Sequence, residues 1–105
     1  MHNINELDVN ELSQRMNGGE GVTLIDVRSP QEAAQASIPG SVNIPLHTLP
    51  VRLNEIPDDS FVVLYCRSGA RSAQACAFAG AQGKEHVYNL RGGIIAWAQA
   101  GEAVA

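Results

Sequence analysis

Long apolar runs, clustered basic residues, paired cysteine motifs and grouped histidines are all missing from this sequence, and each gap removes a class of function. No apolar stretch approaches the roughly 20 residues that a membrane-spanning helix needs. The seven Lys and Arg are outnumbered by eleven Asp and Glu, for a formal net charge of −4, and they form no basic run. A nucleic-acid partner is therefore not expected, and neither is a membrane one. Residues 1–6 offer neither the basic start nor the apolar centre of a secretory signal, so a cytoplasmic location is the expectation. The two cysteines, Cys66 and Cys76, make no CxxC pair, and His2, His47 and His86 are scattered. No metal-ligand spacing results, and the histidines read as surface residues. In a reducing compartment the cysteines read as thiols rather than a bridge.

What remains is the composition of one folded domain, residues 1–105: 45% hydrophobic and 17% charged, sufficient for a single core and too short for two. Short apolar runs alternate with helical segments. Ile4 to Leu7 reads as a weak strand, and Asp8-Val-Asn-Glu11 has capping-box spacing for a helix to about Met16. Val22 to Asp26 reads as a buried strand with an acid at its carboxyl end. Ser29-Pro30-Gln31-Glu32 repeats the helix-start signal with Pro at the first helical position. Ile38-Pro39-Gly40 breaks that helix, Val42 to Ile44 is a brief strand, and Thr48 to Ile56 a short helix. Phe61 to Tyr65 is the strongest strand signal, apolar or aromatic throughout and fit for a central strand covered on both faces. An alanine-rich helix then runs to Gln82, closed by Gly83, followed by a strand over Val87 to Leu90 and a helix carrying Ile94, Ile95 and Trp97. The tail after Gly101 is expected to be loosely held. Strand-helix alternation of this kind implies an α/β fold with a largely parallel sheet and helices on both faces.

Ligands of such sheets bind at the carboxyl ends of the strands. Cys66-Arg-Ser-Gly-Ala-Arg71 follows the central strand and opens a helix. Backbone N–H groups of such a loop, with the positive end of the helix, favour an anion at the loop's centre. That anion can be the thiolate itself, and nearby Arg67 and Arg71 favour it further. Cys66 is thus the candidate nucleophile, with Arg67, Ser68, Gly69, Ala70, Arg71 and Ser72 as the candidate binding loop. Ser72 reads as a cap of the helix that follows, or as a donor to the sulfur. Asp26 and Arg28 read as structural, the arginine pairing with Glu32, and Cys76 reads as packing. Gly92-Gly93 and Trp97 read as turn and core.

Asp26-Val-Arg28, Glu32, Ile38-Pro-Gly40, Asn43-Ile-Pro45, Cys66-Arg-Ser-Gly-Ala-Arg-Ser72 and Asn89-Leu-Arg-Gly-Gly93 with Trp97, in this order, resemble the single-domain rhodanese-like sulfurtransferases. The resemblance runs from about Ile4 to Gly101. It implies a three-layer α/β/α fold with a five-stranded, mainly parallel sheet. It also implies a ping-pong reaction through a Cys66 persulfide, with no metal or organic cofactor. A small anionic donor such as thiosulfate, or a low-molecular-weight persulfide, would load the sulfur, and cyanide, a thiol or a sulfur-carrier protein would accept it. Four residues separate Cys66 from Arg71, where related cysteine phosphatases use five around a tetrahedral phosphate. A phosphatase or arsenate reductase on the same fold is the first rival reading, a non-catalytic interaction module the second, and a dithiol redox protein using Cys66 and Cys76 the third. The chain has Ala36-Ser37 where many members carry Gly-His before the Ile-Pro-Gly, and Ala33-Ala34 where an aromatic often follows the acid.

Overall fold

A computed structural model describes residues 4–105; His2 lies outside them. Five strands form one sheet in the order β1-β5-β4-β2-β3. They are β1 (Asn5–Leu7), β2 (Val22–Asp26), β3 (Val42–Asn43), β4 (Phe61–Tyr65) and β5 (Val87–Leu90). Every pairing is parallel, so the expected mainly parallel sheet is wholly parallel. The helices are α1 (Val9–Asn17), α2 (Pro30–Gln35), α3 (Leu49–Arg52), α4 (Ala70–Ala81) and α5 (Gly93–Gln99).

The expected helix over Thr48 to Ile56 is broken into pieces, with 3₁₀ turns at Leu46–Thr48 and Leu53–Glu55 on either side of α3. Pro50 sits in the first turn, where a proline's missing N–H costs nothing. Both predicted capping boxes form. The Asp8 carboxylate accepts from the Glu11 N–H and the Glu11 side chain from the Asp8 N–H. Ser29 and Glu32 repeat this at α2.

β4 explains the two-sided burial. Its side chains alternate between faces, so Val62 and Leu64 join one core with Ile25, Ile44, Leu49, Ala75 and Val87. Val63 and Tyr65 join the other, with Leu7, Leu12, Leu24, Leu90 and Trp97. The small residues of α4 let that helix lie close to the sheet, and Ala75, Cys76 and Ala79 are buried there. Among the described residues, no helix is long and apolar enough to cross a membrane, and no cluster of His, Cys, Asp or Glu could hold a metal ion.

The segment after Gly101 is not loose. The Trp97 indole N–H donates to the Ala103 carbonyl at 2.8 Å. Ser13 donates to Glu102, and Ser37 and Ala105 exchange two backbone hydrogen bonds. Ser13 and Ser37 are far away in sequence, which is why local composition did not show them as partners.

Candidate active site

Cys66 follows directly on β4, the central strand, and α4 begins at Ala70. The loop between them must turn sharply, and Gly69 makes the turn at φ +105°, a conformation that L side chains rarely adopt. There the Gly69 N–H points at the sulfur and donates to Cys66 Sγ at 3.1 Å. The Ser72 hydroxyl lies 3.4 Å from the same sulfur. Cys66 is only 1% exposed, whereas Arg67, Ser68 and Ala70 on the rim are exposed.

The loop is held from behind by the start of α5. The Ile94 N–H donates to the Cys66 carbonyl at 2.9 Å and the Ile95 N–H to the Arg67 carbonyl at 3.2 Å. These bonds draw the loop carbonyls away from the sulfur. Gly93 is what permits the approach. It has φ +61°, and a Cβ there would stand 2.5 Å from the Cys66 carbonyl oxygen and closer still to that of Arg67. Gly93 therefore does more than the turn expected of it.

Burial pushes the Cys66 thiol up. The N–H groups of Ser72, Gly69 and Ser68 that meet the sulfur pull it down, and the outcome lies below the ordinary thiol range. Such a thiol is ionised more readily at neutral pH, and the thiolate is the attacking form. Cys76 shows the opposite. Burial in α4, with the Glu6 charge nearby, pushes its thiol up to about 12, so it stays protonated and inert.

The arginines divide differently from expectation. Arg71 makes a bidentate pair with Glu32, at 2.7 and 2.9 Å. Glu32 is thereby shared between the α2 capping box and the loop. Arg71, with the Ser29 groups, holds the Glu32 carboxyl down at about 2. The expected Arg28–Glu32 pair does not form. Arg28 instead closes on Asp26 through Nε and Nη2, at 2.9 and 2.7 Å, and reaches the Ala36 carbonyl. Asp26 is two residues away at the mouth of the same turn and is buried with it, so the short bidentate geometry wins over the four-residue spacing. Asp26 also accepts from the Arg28 N–H at 2.9 Å, the loop bond expected of a strand-end acid. Among the described residues no carboxylate lies within ion-pair distance of Arg67, which is exposed on the rim of the loop.

Ser72 is not the helix cap. Gly69 occupies that position, and Ser72 lies in the first turn, fully buried. Its hydroxyl stands 2.5 Å from Asn89 Oδ1. Asn89, on β5, is 2% exposed, and sequence reasoning gave it no role at the site. A lone amide inside an otherwise apolar strand was the available signal, since buried polar groups require partners.

The arrangement is that of a parallel α/β sheet with a cysteine at the end of its central strand, its sulfur met by backbone N–H groups of the loop that follows. Residues 8–100 match the rhodanese-like domain, and the chain belongs to that family. It is 55% identical over 98 residues to a sulfurtransferase of Allochromatium vinosum, covering 93% of this chain and 92% of that one. The crystal structure of a rhodanese-related protein from Thermoplasma volcanium superposes with a TM-score of 0.86 at 29% identity, over 96% of this chain and 97% of the other. A rhodanese-like domain protein of Staphylococcus aureus gives 0.83 at 29% identity, over 90% and 91%.

Proposed function

We propose that this sulfurtransferase-family protein carries sulfane sulfur as a persulfide on Cys66, from thiosulfate or a low-molecular-weight persulfide to a thiophilic acceptor. The Cys66 thiolate attacks the outer sulfur of thiosulfate. A Cys66 S–S bond forms, the donor's S–S bond breaks, and sulfite leaves with the electron pair. The acceptor, cyanide, a thiol or a sulfur-carrier protein, then attacks the terminal persulfide sulfur, and Cys66 leaves as thiolate. No electrons are left over in either half.

The observation that carries this reading is the short N–H-lined loop around Sγ, with the Gly69 N–H at 3.1 Å and the carbonyls of Cys66 and Arg67 tied to α5. Such a cradle stabilises a single extra sulfur bearing negative charge. Arg67 at the rim would draw an anionic donor, while Arg71, already paired with Glu32, would chiefly hold the loop to α2. Ser68 and Ala70 would line the entrance. Cys76, protonated and buried, gives no support to a dithiol cycle.

Intact mass spectrometry tests the reading. Thiosulfate should add the mass of one sulfur atom, on Cys66, and cyanide or a thiol should remove it. No adduct with either thiosulfate or glutathione persulfide would sink the proposal.

A further inference from the structure

The Ser72 hydroxyl has one proton and two acceptors within reach, Asn89 Oδ1 at 2.5 Å and Cys66 Sγ at 3.4 Å. Which one receives it is decided by Asn89. The Asn89 carboxamide nitrogen donates to Glu6 Oε2 at 3.0 Å and to the Gly69 carbonyl at 3.3 Å. An ionised carboxylate and a carbonyl can only accept. The amide is therefore fixed with its nitrogen toward Glu6 and Gly69 and its oxygen toward Ser72. Parallel register keeps it there, since Asn89 lies opposite Glu6 on β1 and Leu64 on β4.

We propose that Asn89 is a positioning residue: it keeps the hydroxyl proton of Ser72 for itself and turns the Ser72 oxygen's lone pair toward the Cys66 sulfur. In the thiol state this arrangement is satisfied throughout, with S–H facing a lone pair. In the thiolate state it withholds a donor, leaving the sulfur to the N–H groups of the loop. The other charged groups around this chain are Arg67 and Arg71, the latter paired with Glu32, the Asp26–Arg28 pair, and Glu6, 3.7 Å from Arg91. Among the described residues, only Cys66 and Asn89 meet the Ser72 hydroxyl.

The bearing on catalysis rests on the sulfur-transfer reading. A thiolate loses intrinsic nucleophilicity as its pKa falls, and the best attacking thiol titrates near the ambient pH. By withholding one donor, Asn89 keeps Cys66 from becoming a stable but sluggish thiolate.

The pH dependence of Cys66 alkylation by iodoacetamide, followed by mass, tests this without any sulfur donor. In Ser72→Ala the midpoint should stay in place or fall, because the hydroxyl removed was not donating to sulfur. In Asn89→Leu the released hydroxyl should turn to sulfur, lowering the midpoint by about one pH unit, or roughly tenfold more thiolate at a fixed lower pH. The double variant should lose that drop. A midpoint that rises in Ser72→Ala overturns the proposal, as does an Asn89→Leu drop that persists in the double variant or an Asn89→Leu midpoint that does not fall. If Asn89→Leu does not fold, the direction of the Ser72→Ala shift decides alone. A normal alkylation profile with no thiosulfate adduct would refute the sulfur-transfer reading and leave this one standing.

Discussion

Gly93→Ala probes whether the loop depends on α5. An alanine at φ +61° carries a left-handed penalty of about 1–2 kcal/mol. Its Cβ would also stand 2.5 Å from the Cys66 carbonyl oxygen, where the obstacle is backbone and cannot rotate away. Relieving such overpacking costs about 1–3 kcal/mol. The only route of relief separates α5 from the loop and strains the bonds from Ile94 and Ile95, each worth about 1 kcal/mol net. The expected loss is about 3–5 kcal/mol, a large part of the roughly 5–15 kcal/mol that holds a domain of this size. Each kcal/mol moves Tm by about 4–8 °C in a small domain, so the midpoint should fall by at least about 12 °C. Gly83→Ala is the control. Its φ is +95°, and no atom lies within 4 Å of the new methyl, so only the conformational penalty applies. Thermal unfolding by circular dichroism gives the stabilities, and thiosulfate:cyanide turnover well below both midpoints gives the activity. Gly93→Ala should lose most turnover while still folded, and Gly83→Ala should keep it. Equal stabilities, or an unimpaired Gly93→Ala enzyme, would refute the clamp.

Arg67→Ala should raise KM for thiosulfate more than for an uncharged sulfur donor, whereas Arg71→Ala should lower stability and affect both donors alike; steady-state kinetics with the two donors separates them. The Glu32 carboxyl, normally near 4.5, is held at about 2 in the fold, so its contribution is complete above about pH 4.5 and fades as pH falls toward 2. Because the pair is partly exposed, that contribution is about 1 kcal/mol, and urea melts of Glu32→Gln against the parent across this window should converge at the acid end. At about pH 8, iodoacetamide should label Cys66 and spare Cys76, whose thiol sits at about 12 far above the working pH; peptide mapping that finds Cys76 labelled in folded protein would contradict its burial. Cys66→Ser should abolish turnover, and Cys76→Ser should keep most of it with a modest fall in Tm.

The main frame was legible because it rests on local signals. Val22–Asp26, Phe61–Tyr65 and Val87–Leu90 fall where the apolar runs placed them, and both capping boxes form where Asp8 and Ser29 announced them. The placing of Cys66 was legible too: the sequence put it between a buried strand and a helix start, with Gly69 three residues on, and it lies there between β4 and α4. The partners across the fold were not. Glu32 showed its role at the start of α2 but not its bond to Arg71, 39 residues away. Asn89 meets Ser72 and Gly69, 17 and 20 positions earlier in the chain, and Gly93 faces the carbonyls of Cys66 and Arg67, through contacts that only the parallel order of β4 and β5 creates. The Arg28 pairing failed for a related reason. A four-residue spacing describes neighbours on a helix, but Arg28 precedes α2 and lies on the turn with Asp26.

The dependence of the loop on α5 also sets an order of events during folding. A chain that lacks Gly93, Ile94 and Ile95 has nothing to hold the carbonyls of Cys66 and Arg67. Until β5 docks beside β4, the cysteine is an ordinary thiol on an unfinished sheet. The arrangement of N–H groups around the sulfur is complete only once the last strand and helix have docked. Purified chains truncated before residue 90 should therefore alkylate with the pH dependence of an unperturbed thiol, and the full chain with the lowered midpoint of the finished loop.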